Sequence, residues 1–520
     1  MRSVFRCLLA IVVCGFSFHQ IWAQASCPDR PAPGSVVQDA LSLTSQNGIL
    51  AAKFIMGHSV DQYGYTHYCY NYKSAAGYVE APTLRLNQGD TLELEVLDRI
   101  GDADAGMKMA APAGKICGDT GPMTLQSTNV HFHGLNVSPN CHQDDVLTTL
   151  IQPGTPGFDF KIPIPADEPP GLYWYHPHIH GFTEFQVNGG AAGALVVEGM
   201  NKIHPEVDGL TERVFTIRQQ YLVPWIPGPY QLSINYQVSA FPLPHPVIQM
   251  KAGEKQFWRV ANATVQDFMP LQVQVNGTAQ KMELIALDGY PLSKPRIETT
   301  ILVPPAGRAE FIVEAPAAGQ VANFVTLNYP TGPTGNADIP QTIAVIQLAN
   351  NATQGNAMKA TGPALHLENL KFADVAKQIP TAQRKLFFSE EFGGTNGPIQ
   401  FYITVDGQQQ KVFEANEKPV ITTKVGAVED WIVENRALET HAFHMHQIHF
   451  LVMEVDGKPV TNDYRDTIEI PFWEGPGHPY HSIKVRMDFR DPTIAGTFVF
   501  HCHILLHEDL GMMHKILVEP

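Results

Sequence analysis

Pro82-Thr83-Leu84-Arg85-Leu86-Asn87-Gln88-Gly89-Asp90 runs directly into Thr91-Leu92-Glu93-Leu94-Glu95-Val96-Leu97. Asn87, Gly89 and Asp90 mark a turn, and the apolar–polar alternation after them is that of a strand with one face on a core. A related arrangement returns at Ile248-Gln249-Met250-Lys251-Ala252-Gly253-Glu254-Lys255, before Gln256-Phe257-Trp258-Arg259-Val260. It returns again around Lys418-Pro419-Val420, before Ala427-Val428-Glu429-Asp430-Trp431-Ile432-Val433-Glu434-Asn435. The occurrences recur every roughly 165 residues, which reads as three homologous units. Helical periodicity is sparse, so the expected fold is all-β: three Greek-key β-sandwich domains. They are placed at 26–199, 200–365 and 380–520, with linkers near Gly199–Pro205 and Gly355–Ala382.

The length agrees, since 520 residues are too many for one core. Charged residues are only 17% while Gly and Pro number 42 and 40, a balance of short apolar runs and turns. Residues 1–25 resemble an export signal: Arg2 and Arg6, an apolar run from Cys7 to Phe18, then Ala23-Gln24-Ala25 as a cleavage site. The expected destination is periplasmic or extracellular. The apolar run is short for a membrane span, and no later segment is a candidate. Losing Arg2 and Arg6 takes the formal charge from −16 to near −18, which argues against nucleic acid or anionic membrane as partners and slightly favours cationic or neutral substrates. Cys27, Cys69, Cys117 and Cys141 can form two disulfides in an oxidising compartment, with three possible connectivities. Cys502 stands apart, between two histidines.

Twenty-two histidines predict on the order of one His-x-His pair by chance, and the sequence holds five: 131/133, 176/178, 178/180, 444/446 and 501/503. In a strand, residues i and i+2 share a face about 7 Å apart, so two imidazoles can reach one metal or two adjacent ones. Imidazole suits copper, iron, nickel and zinc. Pairs 131/133 and 176/178 come from the first part of the chain and 444/446 and 501/503 from the last, which puts the cluster between the first and last domains. In His501-Cys502-His503-Ile504-Leu505-Leu506-His507-Glu508-Asp509-Leu510-Gly511-Met512, alternation sends His501 and His503 one way and Cys502 the other. The Cys502 thiolate, the His507 imidazole and the Met512 thioether, with His441 as second imidazole, form the ligand set of a blue-copper electron-transfer site.

These motifs resemble those of the multicopper oxidase family, over nearly the whole chain after Val79. Four are present: His131-Phe132-His133-Gly134, Trp174-Tyr175-His176-Pro177-His178, His441-Ala442-Phe443-His444-Met445-His446, and the stretch from His501 to Met512. The resemblance implies cupredoxin-like domains and four copper ions. His441, Cys502, His507 and Met512 would hold the type 1 copper, and His131 and His444 the type 2 copper. His133, His176, His178, His446, His501 and His503 would hold the binuclear type 3 pair. Ala442 stands where the family usually has proline, and Met512 matches the axial position of bacterial members. The implied reaction is one-electron oxidation of a substrate at the type 1 copper, coupled through Cys502 to reduction of O2 to water.

His507 is expected to be the exposed edge where electrons enter, as in relatives. Glu508 and Asp144 are the candidate proton-delivering acids, with Asp145 as a fallback; bonding the ring nitrogen of a ligand is the competing role for each. His180 and His449 extend motifs without matching ligand positions, His142, His478 and His481 have no spacing argument, and Met513 reads as packing. Asn136-Val137-Ser138 is a glycosylation sequon close to the expected cluster. The rivals are a non-catalytic copper-binding protein, a nitrite reductase, for which four motifs are superfluous, and a zinc hydrolase, which leaves Cys502 and Met512 unexplained. The reductant is expected to be a phenol or aromatic amine, with Cu(I), Fe(II) or Mn(II) as the alternative; no methionine-rich insertion is visible among the 15 Met.

Overall fold

The computed structural model describes residues 25–520 except 62–63, 102–107, 110–115, 221–230, 241, 350–354, 359–363 and 394–398. The expected export segment, Ala25 apart, lies outside the described residues. Strands dominate, and among the described residues they form three pairs of larger sheets and two two-stranded ones. In the first sandwich, Ser42–Thr44, Thr83–Leu86, Gly193–Val197, Gly171–His176 and His131–His133 make one sheet. Phe158–Pro163, Thr91–Asp98, Ile49–Val60, Thr66–Ser74 and Gly77–Glu80 make the other.

The repeat that sets the fold is a corner. Thr83–Leu86 lies in one sheet and Thr91–Asp98 in its partner, so the turn between them carries the chain across the sandwich. Gly89 takes φ +81°, and the Asp90 carboxylate accepts from the Asn87 backbone N–H at 2.7 Å, closing the turn. Val247–Met250 and Lys255–Ala263 cross between sheets in the same way, as do Ile421–Lys424 and Ala427–Asn435. Each strand after a corner pairs in parallel with the long strand that precedes it: Ile49–Val60, Thr211–Gln220 and Ala382–Phe392 in turn. One topology is thus used three times. Trp258 and Trp431, each in the strand after its corner, are fully buried in the second and third cores.

The sandwiches are joined by more than linkers. Val37 enters the second core. Arg85 of the first sandwich donates to Glu212 of the second at 2.6 Å, and Leu172 N–H donates to Glu310 at 2.8 Å. Arg259 pairs with both Glu212 and Glu310, so these buried charges are compensated. The expected first linker holds a short helix, Met200–Ile203. In the second, Lys371 forms ion pairs with Asp167 and Asp491. Of the three possible connectivities, the disulfides are Cys27–Cys69 and Cys117–Cys141, and Cys502 is free and buried. Among the described residues, no helix is long and apolar enough to cross a membrane.

Candidate metal centres

Strand Gly496–Cys502 runs antiparallel to His441–Met445, with Cys502 opposite Phe443 and His501 opposite His444. Paired residues share a face, so Cys502 and His441 point one way while His444 and His501 point the other. On the first face, Cys502 Sγ lies 3.6 Å from His441 Nδ1 and 3.8 Å from His507 Nδ1. The short helix Leu505–Asp509 carries His507 back over the strand end. Met512 is fully buried in the same core as Cys502; its N–H donates to His507 O at 2.8 Å and its carbonyl accepts from Cys502 N at 3.0 Å. Burial pushes the Cys502 thiol above its ordinary pKa, so a thiolate there requires a neighbouring cation.

On the other face, eight imidazoles from the first and third sandwiches close a chamber. His131 pairs with His176 across the strands of the first sandwich, and His133 with Trp174. His131 stacks on His446 at 3.9 Å between centroids, and His133 on His444 at 4.0 Å. His446 Nε2 and His178 Nε2 lie 3.1 and 3.5 Å from His501 Nε2. His503 packs against His133 and His176 at 5.1 and 5.6 Å. Burial, reinforced for most of them by neighbouring imidazoles, lowers the pKa values and holds these rings in the neutral form that binds metal.

Five of the rings are anchored through one nitrogen. His131 Nδ1 meets both Asp144 oxygens at 3.0 Å, His176 Nδ1 meets Pro177 O at 2.8 Å, and His501 Nδ1 meets Cys502 O at 3.0 Å. His444 Nδ1 meets Asp466 O at 2.8 Å, and His133 Nε2 meets Asp466 Oδ1 at 3.2 Å. Left without any partner are His131 Nε2, His133 Nδ1, His176 Nε2, His444 Nε2, His446 Nδ1 and both nitrogens of His503. Unpaired buried imidazole nitrogens are costly, and this many around one chamber are what a metal cluster would satisfy. Groups of three donor atoms within 4.8 Å of one another recur there: His131/His444/His446, His131/His133/His176 and His178/His446/His501, with His441/Cys502/His507 beside them.

The candidate acids divide by position. Glu508 is fully buried, with Oε1 at 3.5 Å from His178 Nε2 and Oε2 at 3.3 Å from His501 Nδ1. Asp144 also accepts from Phe132 N–H and from Gln447 Nε2, at 2.9 and 2.6 Å, tying the two end sandwiches together. Asp145 instead accepts from Leu147 and Thr148 backbone N–H groups. Asp509, absent from the sequence reading, accepts from the N–H groups of Gly181, Thr183 and Glu184 at 2.8–3.1 Å. It thereby holds the helix Thr183–Asn188 of the first sandwich against the third.

One expectation is corrected. His507 is not an exposed edge: it is only 3% exposed, and Phe401 stacks on its ring at 4.0 Å and 18°. Phe401 sits opposite Glu390 in the hairpin Ala382–Phe392/Ile399–Val405, and this hairpin roofs the site. Glu390 reaches 3.4 Å from His441 Nε2, and Glu439 lies 3.6 Å from His507 Nε2. Burial, then the adjacent Glu390 carboxyl, pushes Glu439 up to about 9. No spacing rule links these residues to the ligands, so the sequence alone did not single them out.

His449 is buried and donates from Nε2 to Asp288 O at 2.7 Å. His142 stacks on Phe158 away from the chamber, and His481 bridges Asp456 and Glu474. His180 rests edge-on against Phe413, and Met513 packs with Phe413 and Val499. Asn136 is fully buried, donating its side-chain amide to Glu168 at 2.9 Å, which leaves no room for a glycan.

A three-sandwich β protein with a His–Cys–His centre backed onto an imidazole chamber has the donor set of a redox metalloprotein. Three family models described as multicopper oxidase match residues 123–202, 211–351 and 393–520. The multicopper oxidase mco of Staphylococcus haemolyticus is 24% identical over 469 residues, covering 86% of this chain and 85% of that one. A laccase of Bacillus stratosphericus is 22% identical over 438 residues, covering 75% and 80%. Among solved structures, a Campylobacter jejuni multicopper oxidase described as a metallo-oxidase superposes with a TM-score of 0.67 at 23% identity, covering 94% and 96% of the two chains. McoA of Aquifex aeolicus superposes with a TM-score of 0.65 at 16% identity, covering 93% and 99%. The chain belongs to the multicopper oxidase family, copper-dependent oxidoreductases that use O2.

Proposed function

We propose that the chain draws electrons singly from a small cationic reductant such as Fe(II), Mn(II) or Cu(I) and uses four of them to reduce O2 to water. The carrying observation is the two-faced strand at Cys502. His441, Cys502, His507 and Met512 would hold a type 1 copper on one face, and His131 and His444 a type 2 copper on the other. The triads His133/His176/His503 and His178/His446/His501 would hold a type 3 pair. When bound, these ions supply one-electron redox steps at the first centre and four-electron reduction of O2 at the second.

The protein's part is placement. Cys502 joins the centres through the backbone it shares with His501 and His503. The Nδ1 atoms of His441 and His507 face its sulfur, and their Nε2 atoms face Glu390 and Glu439. Glu508, between His178 and His501, is positioned to pass protons to the chamber. Phe401 over His507 keeps a bulky aromatic ring off the imidazole, while the Glu390 and Glu439 carboxyl groups offer oxygen ligands to a compact cation, Glu439 giving up its proton as the cation binds; this supports a metal ion over a phenol. Export to an oxidising compartment is part of the same reading, supported by the two disulfides.

The test is oxygen uptake by copper-loaded protein against Fe(II), Mn(II), Cu(I) and a phenol. Metal ions should give the higher kcat/KM, and Glu439→Gln should raise KM for the preferred ion by on the order of 10-fold while leaving a neutral organic reductant unaffected. A phenol turned over faster than every ion would sink the substrate assignment and leave the oxidase reading intact.

A further inference from the structure

The second sandwich supplies none of the candidate copper ligands, yet one of its side chains ends against them. Arg308, at the start of strand Arg308–Glu314, is 1% exposed, and its guanidinium reaches the seam between the first and third sandwiches. Nη1 donates to Asp466 Oδ1 at 2.7 Å and Nη2 to Asp466 Oδ2, a two-point grip. The remaining donors are held by the second and first sandwiches: Nη2 also meets Asp288 O at 2.7 Å, and Nε meets Leu172 O at 3.2 Å.

Asp466 touches a chamber histidine from each end sandwich. Its Oδ1 faces His133 Nε2 at 3.2 Å, and its backbone carbonyl takes the N–H of His444 Nδ1 at 2.8 Å. Thr467 Oγ1 donates to the same Oδ1 at 2.9 Å. These bonds decide which nitrogen of each ring keeps its hydrogen. His133 is left with Nδ1 free and His444 with Nε2 free, and both atoms are unpartnered. The motif glycine records the same contact. Gly134, at φ +88°, would place a Cβ 2.4 Å from Arg308 Nη2 and 2.7 Å from Asp466 Oδ2. The residue after His133 is therefore glycine where the ion pair passes.

We infer that Arg308 is a positioning residue for the copper cluster: through Asp466 it fixes the tautomer and orientation of His133 and His444, making the second sandwich a brace for a site it does not ligate. The inference rests on the ligand assignment above. It differs from a purely structural role, in which Arg308 only seals an interface.

The test compares copper-loaded wild type with Arg308→Lys, which keeps the charge and loses the two-point grip. The readouts are copper retained per chain during dialysis against a chelator, the type 2 electron paramagnetic resonance signal, the blue absorption of the type 1 centre, and apoprotein melting. The expected result is unchanged blue absorption, an altered type 2 signal, and cluster affinity lower by on the order of 10- to 100-fold. Arg308→Met should do the same more strongly. Should Arg308→Lys not fold, Arg308→Gln is the second variant: it keeps a shorter hydrogen-bond donor without the two-point grip and should shift the type 2 signal in the same direction. Variants that melt earlier yet keep wild-type copper retention and type 2 signal would overturn the inference. Wild type that retains copper only at the blue centre would overturn the ligand assignment itself, and the inference with it.

Discussion

The two candidate centres share one strand and are built in opposite ways. His441, Cys502, His507 and Met512 all belong to the third sandwich, all four buried, with Cys502 and Met512 in its apolar core. The chamber on the far side takes His131, His133, His176 and His178 from the first sandwich and His444, His446, His501 and His503 from the third. It is then tied by Asp144–Gln447, by Asp509 on the helix Thr183–Asn188, and by Arg308 from the second. The first centre is a property of one fold and the second of an assembly. A fault confined to the first sandwich or to an interface should therefore reach only the chamber.

The largest expected effect tests the shared strand. Cys502→Ser should abolish the blue absorption and bring substrate-driven oxygen uptake to background, with copper in the chamber largely retained; a variant that stays blue would remove the type 1 assignment. Next comes the seam. Asp509→Ala leaves three backbone N–H groups without their acceptor, a loss of about 1–3 kcal/mol, and calorimetry should show earlier melting. Chamber copper should become easier to extract while the blue centre holds. Equal loss from both centres would mean that the comparison is false.

The smallest effect is a pH dependence on the chamber side. Burial, opposed by Lys371, raises the Glu168 carboxyl from its ordinary 4.5 to about 7. The folded protein then holds this proton more tightly than the unfolded chain. The contribution to stability is fully present below pH 4.5 and is lost as pH rises through 7. Glu168→Gln should flatten that decline in apoprotein melting curves, by on the order of a few degrees, with no change in the blue spectrum. An unchanged slope between those pH values would show that Glu168 does not titrate in the fold.

How much of this was legible in the sequence follows from the same division. Alternation along His501-Cys502-His503 and the spacing of the other pairs exposed the ligands, because strand geometry fixes what i and i+2 can reach. The corners were legible too, as turn residues followed by period-two strands, although that each corner changes sheets was not. Asp466, Arg308, Glu390 and Phe401 left no such trace. Their roles come from pairing and docking between distant segments, as when Phe401 meets His507 from a separate hairpin. The burial of His507 was missed for that reason, and the disulfide pairing likewise depended on which loops the fold brings together.

The split chamber also sets a clock. His178 and His441 are separated by more than 250 residues of chain, so the first half of the imidazole wall leaves the ribosome long before the second. At about 5–20 residues per second, that interval is on the order of tens of seconds. Through it, the first sandwich carries four paired histidines with no partner wall, open to any metal ion nearby. The newborn chain must pass this period with its coordinating rings ready and its site unfinished, and the blue centre, made within a single late domain, has no such wait.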